Sequence, residues 1–181
     1  VEHPVTELIT GIDIVEEMIK IAFGEKLRLT QKDIKLNGWS FESRIYAEDP
    51  YKDFLPSIGR MKRYSPPKEE KYKNQIVRND TGVKEGDEIT IYYDPMIAKL
   101  STWGNTRDEA RRLMLFALDQ FMIQGVRNNI SFLSVVFSNK DFKDGNISTS
   151  FIQQQFSSGF KGISFKKHED IIYLSLLVLN F

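Results

Sequence analysis

The chain has 181 residues, 41% of them hydrophobic and 28% charged, enough apolar material for a single core and ordinary for a globular domain. Lysine plus arginine and aspartate plus glutamate are equal at 25 each, so no broad positive field exists to gather nucleic acid or anionic lipid. Cysteine is absent and histidine is confined to His3 and His168, which excludes disulfides and thiolate metal sites and argues against a histidine-based one.

The N-terminus lacks the basic-then-apolar pattern of a signal peptide. The first periodic segment is "ITGIDIVEEMIKIAFGEKL". Ile12, Val15, Ile19 and Ala22 recur at helical spacing, with Asp13 near the start and Gly24 just past the end. "LTQKDI" reads as a short polar helical turn. From Leu36 the period changes to two. In "WSFESRIYAED", Phe41, Ser43, Ile45 and Ala47 face one way, and Glu42, Arg44, Tyr46 and Glu48 the other. Asp49-Pro50 ends that strand, since proline has no donor for the ladder.

"SIGRMKRYSPP" predicts a short strand closed by Pro66-Pro67, "KEEKYKN" a charged loop, within a stretch from Ser65 to Asn74 that reads as a solvated hairpin tip, and "QIVRND" another strand. After the turn "TGVKEGD", "EITIYYDPMIAKLSTWG" supplies two more strands around Asp94-Pro95. Thr106 starts the strongest helix. "TRDE" is a capping box in which Glu109 should answer the Thr106 amide, and Ala110, Leu113, Ala117 and Phe121 form the apolar stripe. "NNISFLSVVFSN" is a shorter helix capped by Asn128 or Asn129, and "STSFIQQQF" a last turn or two. The order predicts an α+β domain with antiparallel strands gathered in the centre and helices on either side. The longest apolar run, Ile171 to Phe181, is too short for a bilayer, which needs ~20 residues. A chain that opens on Val1 and stops inside that run reads as a fragment.

Chemistry-bearing motifs are few. Neither GxxxxGK[ST] nor GxGxxG occurs, so any nucleotide phosphate cradle lies outside these residues, and no GxSxG elbow is present. Glu2-His3 reads either as a polar chain end or as a carboxylate general base, and the residues alone do not choose. Arg44 reads either as part of a solvated strand face, paired to Glu42 and Glu48, or as an oriented guanidinium set to meet a developing oxyanion. Asp94 reads as a turn-forming Asp-Pro.

At these residues the chain resembles a known family. "VEHPVTELITGIDIVEEMIKIA", "ESRIYAEDP", "FLPSIGR", "YYDPMIAKL" and "GVRNNISFL", in unbroken order, are similar to the carboxy-terminal part of biotin carboxylase, the ATP-dependent component of biotin-dependent carboxylases. "YAEDPYK", "LPSIGR" and "YYDPMI" look most like the alpha subunit of propionyl-CoA carboxylases.

The resemblance implies an ATP-grasp tail over residues 1–35, including that domain's last helix. It implies a biotin carboxylase C-terminal domain over 36–156, and a linker and truncated start of a subunit-docking domain over 157–181. It implies that Val1 and Glu2 contact bicarbonate, and that Glu2 is the base that deprotonates it for attack on ATP. It implies that Arg44 holds the biotin enolate oxygen, and that Thr149 stands near the adenine edge. No metal ligand falls within the chain; the ATP and Mg ligands precede Val1, so the fragment alone is expected to be inactive.

The implied partners are a biotin carboxyl carrier domain, a carboxyltransferase beta subunit and the upstream ATP-grasp half, with neither nucleic acid nor membrane among them. The implied compartment is the bacterial cytoplasm, or the mitochondrial matrix in a eukaryote. Acetyl-CoA carboxylase, pyruvate carboxylase and a non-catalytic assembly module are the alternatives.

Two stretches depart from the pattern. "PPKEEKYKNQIVRNDTGV" replaces a short Gly-rich hairpin that in some relatives helps dimerise, so that contact is not carried over. "GISFKKHEDIIYLSLLVLNF" falls outside it, and its end, Ile171 to Phe181, is expected to be poorly ordered or buried against a neighbour.

Overall fold

The computed structural model describes residues 3–69, 71–72 and 74–162. The expectations for Val1, Glu2, His168 and the stretch Ile171 to Phe181 lie outside the described residues.

Two short helices come first, α1 (Pro4–Thr10) and α2 (Ile14–Ala22). α1 is not among the elements expected from the sequence; it closes at Gly11, whose φ of 71° gives it a left-handed C-cap that a β-carbon would strain. α2 then starts as expected from Asp13, whose carboxylate accepts the Glu16 N–H at 2.8 Å. Its predicted stripe is not buried: Val15, Ile19 and Ala22 are exposed, and Ile14, Met18 and Ile21 instead face Leu27, Leu29 and Ile34.

The strands follow as β1 (Trp39–Tyr46), β2 (Glu48–Asp49), β3 (Leu55–Pro56), β4 (Gly59–Arg60), β5 (Arg63–Ser65), β6 (Lys71–Tyr72), β7 (Gln75–Thr81), β8 (Glu88–Ile89) and β9 (Met96–Gly104). The main antiparallel sheet has the order β1-β9-β7-β6, and β2-β3 and β4-β8 pair as small ribbons. The single strand expected in "SIGRMKRYSPP" is two pieces with different partners, because Met61 between them is fully buried and turns the chain. Lys71–Tyr72, read as loop, pairs with Gln75–Ile76 to close a hairpin.

α3 (Arg107–Gln120) packs along the main sheet, and after it come β10 (Met122–Gln124), α4 (Ile130–Ser138), α5 (Lys140–Asp144) and α6 (Phe151–Gln155). Thr106 caps α3 by accepting the Glu109 N–H at 3.2 Å. The reciprocal bond shifts by one residue from expectation: the Glu109 carboxylate accepts the Asn105 N–H at 3.0 Å rather than that of Thr106. α5 has no apolar period and was not expected. It forms because Asn139 accepts two N–H groups at its start, Gly145 closes its end, and the Arg107 guanidinium donates to the Phe142 and Lys143 carbonyls there.

The core lies between one sheet face and α3. Ile45, Val77, Ala98 and Leu100 meet Ala110, Leu113, Met114, Ala117 and Leu118 there. Burying side chains such as Ile45, Leu100 and Met114 completely contributes ~1.5–3 kcal/mol each. This is the face predicted for Ser43, Ile45 and Ala47, and all three are buried. Phe132, Val136, Phe151 and Phe160 make a second, smaller cluster beneath the last helices.

Candidate functional site

The second sheet face carries the charged residues. Cross-strand pairing sets Arg44 opposite Lys99, with Lys99 opposite Asp80, and sets Glu42 opposite Ser101, with Ser101 opposite Arg78. α1 packs against β1 and β9 on this side, and Ser101 and Trp103 are buried. One bracket holds the helix there. Arg78 donates to Glu7 of α1 at 2.6 Å, and through a bidentate fork to Asp80 at 2.8 and 2.9 Å, while Glu7 also accepts the Ile14 N–H at 2.8 Å. The carboxylate of Asp80 and then that of Glu7 push the guanidinium's pKa upward against its partial burial. Such a fork needs arginine, since a lysine presents no planar set of donors. The Ile9 carbonyl accepts the Asn37 N–H at 2.7 Å, and the Asn37 carbonyl accepts the Trp103 indole N–H at 2.7 Å, which closes the far end.

Arg44 stands on this face beyond the helix. Its Nε donates to Glu42 Oε1 at 3.2 Å; its side chain is 51% exposed and that of Glu42 only 15%. Glu42 first, and then the Tyr46 hydroxyl, favour the charged form. The expected partnership with Glu48 is not formed: among the described residues Glu42 is the carboxylate paired to Arg44. The arrangement is a guanidinium steered from one side by a half-sunk carboxylate, leaving donors for a planar acceptor.

Glu48 has a different role. Burial, and then the charge of nearby Asp94, raise its carboxyl above the ordinary glutamate range. A carboxyl whose folded pKa is raised favours the fold most below the unfolded pKa of about 4.3, and loses that contribution as pH rises through the folded value. Glu48→Gln is therefore expected to raise the melting temperature at pH 7, with the gain vanishing towards pH 4. Paired thermal melts at the two pH values check this, and a gain that did not depend on pH would refute it.

The other candidate positions lie apart from this face or outside the described residues. Thr149 is exposed in the turn leading into α6, whose Phe151 belongs to the second cluster. His3 is exposed and precedes α1 without capping it. Among the described residues no cluster of His, Cys, Asp or Glu side chains could hold a metal ion, and no helix is long and apolar enough to cross a membrane.

One residue that sequence reasoning assigned only to helix capping joins the site. Asn129 makes no cap bond with its side chain, which reaches back to the backbone of Arg44 and Tyr46. Asn128 accepts the Ile130 N–H instead. Two adjacent asparagines before a helix were the only signal, and it pointed to the helix.

Comparison with known proteins gives two family matches. Residues 42–154 match the biotin carboxylase C-terminal domain, and residues 1–30 match the carbamoyl-phosphate synthase L chain ATP-binding domain. The propionyl-CoA carboxylase alpha chain of Ruegeria pomeroyi is 51% identical over 91% of this chain and 26% of its own length. The human mitochondrial propionyl-CoA carboxylase alpha chain is 51% identical over 93% of this chain and 23% of its own. Among solved structures, the biotin carboxylase domain of Hydrogenobacter thermophilus 2-oxoglutarate carboxylase, in complex with MgADP, ADP and bicarbonate, superposes with a TM-score of 0.80. It is 45% identical over 86% of this chain and 33% of that one. The chain thus spans about a quarter of the length of the curated relatives it matches.

Proposed function

The chain belongs to the biotin carboxylase C-terminal domain family, and from that premise we propose that it forms one wall of a biotin carboxylase site in an acyl-CoA carboxylase acting on propionyl-CoA. Residues 1–35 would be the tail of an ATP-grasp domain, 36–156 the C-terminal domain proper, and 157–181 a linker towards a docking domain. The match of residues 1–30 to an ATP-binding domain supports the first boundary. It also accounts for the bare apolar face of α2, which the rest of such a domain would cover.

One observation carries the reading. Arg44 stands half-exposed on the sheet face that α1 covers, and α1 begins at Pro4, two residues beyond Glu2. Glu2 would take the proton of bicarbonate and so prepare its oxygen to attack the terminal phosphate of ATP, with Val1 beside it holding the anion. Bicarbonate bound to the Hydrogenobacter thermophilus relative supports that substrate. The carboxyphosphate so formed would break down to carbon dioxide and phosphate. The phosphate would take the ureido N–H proton of biotin delivered on a carrier domain, and the freed nitrogen would bond the carbon dioxide. Arg44 would stabilise negative charge as it builds on the ureido oxygen. The donor set fits, since a guanidinium is always charged and its fork matches a planar oxygen acceptor. Thr149 would line the adenine edge, and ATP with Mg would otherwise be held by residues outside this chain. A carboxyltransferase beta subunit would receive the carboxybiotin, in the bacterial cytoplasm or the mitochondrial matrix.

The test uses ATP cleavage that depends on bicarbonate and biotin. The full-length carboxylase subunit carrying this sequence is expected to show it, and residues 1–181 alone to run no faster than buffer. Cleavage by the isolated chain would overturn this division of labour, and an inactive full-length subunit would overturn the function.

A further inference from the structure

Among the described residues β1 is the edge strand of the main sheet, with β9 on one side and no strand on the other. Its pairing with β9 slips between Ile45 and Tyr46: Ile45 opposes Ala98 but Tyr46 opposes Met96. Such an irregularity frees backbone groups and re-aims the side chains beside it. Here the outer edge of that stretch is paired by one amide. Asn129 Nδ2 donates to the Arg44 carbonyl at 3.0 Å, and Asn129 Oδ1 accepts the Tyr46 N–H at 2.9 Å. The Tyr46 carbonyl in turn accepts the Asn129 N–H at 3.2 Å. With the side chain's donor and acceptor both engaged, a residue only 6% exposed stands in for the missing strand.

We propose that Asn129 is a positioning residue for Arg44, acting on the two peptide groups that flank Ile45 rather than on substrate. The proposal rests on the reading of Arg44 given above. Two features carry it. The asparagine forgoes its helix-capping bond to make these contacts, and they fall on the one irregular step of β1, beside the guanidinium. The Arg44 side chain is steered by neighbours on its own strand, Glu42 and Tyr46, so its aim depends on the backbone of that strand. A shift of about 1 Å at a reacting position costs on the order of 10²-fold in rate.

The experiment is a double-mutant cycle in the full-length carboxylase subunit, read as kcat for biotin carboxylation. Asn129→Ala is expected to lower kcat about 10- to 100-fold when Arg44 is present, and less than about 2-fold in the Arg44→Ala background, where nothing remains to be aimed. Equal losses in both backgrounds would mean a merely structural role and overturn the proposal, leaving the reading of Arg44 intact. Full turnover by Arg44→Ala alone would instead remove the reading on which it rests. Asn129→Asp keeps the acceptor for the Tyr46 N–H and loses the donor to the Arg44 carbonyl. Should Asn129→Ala not fold, the same cycle with Asn129→Asp decides the matter by the same criterion.

Discussion

Replacement of Arg44 by alanine is expected to lower kcat for biotin carboxylation by the full-length enzyme about 10²- to 10³-fold, while leaving the fold intact. The two halves of that expectation have separate causes. A donor that meets charge only as the transition state forms contributes most where water is excluded, and its loss is of this size in other oxyanion sites. The stability cost is small because the bond to Glu42 is made by a side chain that is half in solvent. Exposed pairs of this kind contribute ~0–1 kcal/mol. Arg44→Lys keeps the charge and loses the fork, so it is expected to recover only part of the rate. Steady-state kinetics beside thermal melts of the same preparations provide the check. Normal turnover in a folded Arg44→Ala enzyme would falsify the role given to the guanidinium.

The second large effect is on folding. Gly125 follows β10 with φ of 102°, and a β-carbon there would stand 2.2 Å from the Arg60 carbonyl oxygen and 2.8 Å from the Lys62 nitrogen. Both are backbone atoms of the neighbouring β4–β5 segment, where Lys62 donates its N–H to the Gln124 carbonyl at 2.8 Å, so neither can swing aside. Gly125→Ala combines a strained dihedral with overpacking and is expected to cost about 3–5 kcal/mol. Gly145 is the control. Its φ is 82° but nothing lies within 4 Å of its β-carbon position, so Gly145→Ala should lose only about 1–2 kcal/mol. Urea unfolding of the two variants separates strain from clash, and equal losses would count against the clash. The position matters to the site as well, since the chain runs from Gly125 to Asn129 and delivers that amide to β1.

The alternation in "WSFESRIYAED" was enough to separate the buried Ser43, Ile45 and Ala47 from the exposed Arg44, because a half-buried strand repeats every two residues. The spacing of Ala110, Leu113, Ala117 and Phe121 likewise marked the core side of α3, and all four are buried. Periodicity could not say which face of α2 would be covered. That depends on its neighbours, and the stripe of Val15 and Ile19 remains bare among the described residues. Nor could it find α5, whose five residues are held by caps and by Arg107 rather than by an apolar period.

What the amino-acid sequence determined by itself is therefore the α+β order, the strand face that carries Arg44, the start of α3 and, through its motifs, the family. Each of these is written in short-range pattern. Tertiary structure alone decided that Glu7 and Arg78, 71 positions apart, clamp α1 onto the sheet, and that Asn129 serves a strand 85 residues earlier than itself. Hydrogen bonds across such separations follow from how the sheet and helices close on one another, and no local pattern encodes them.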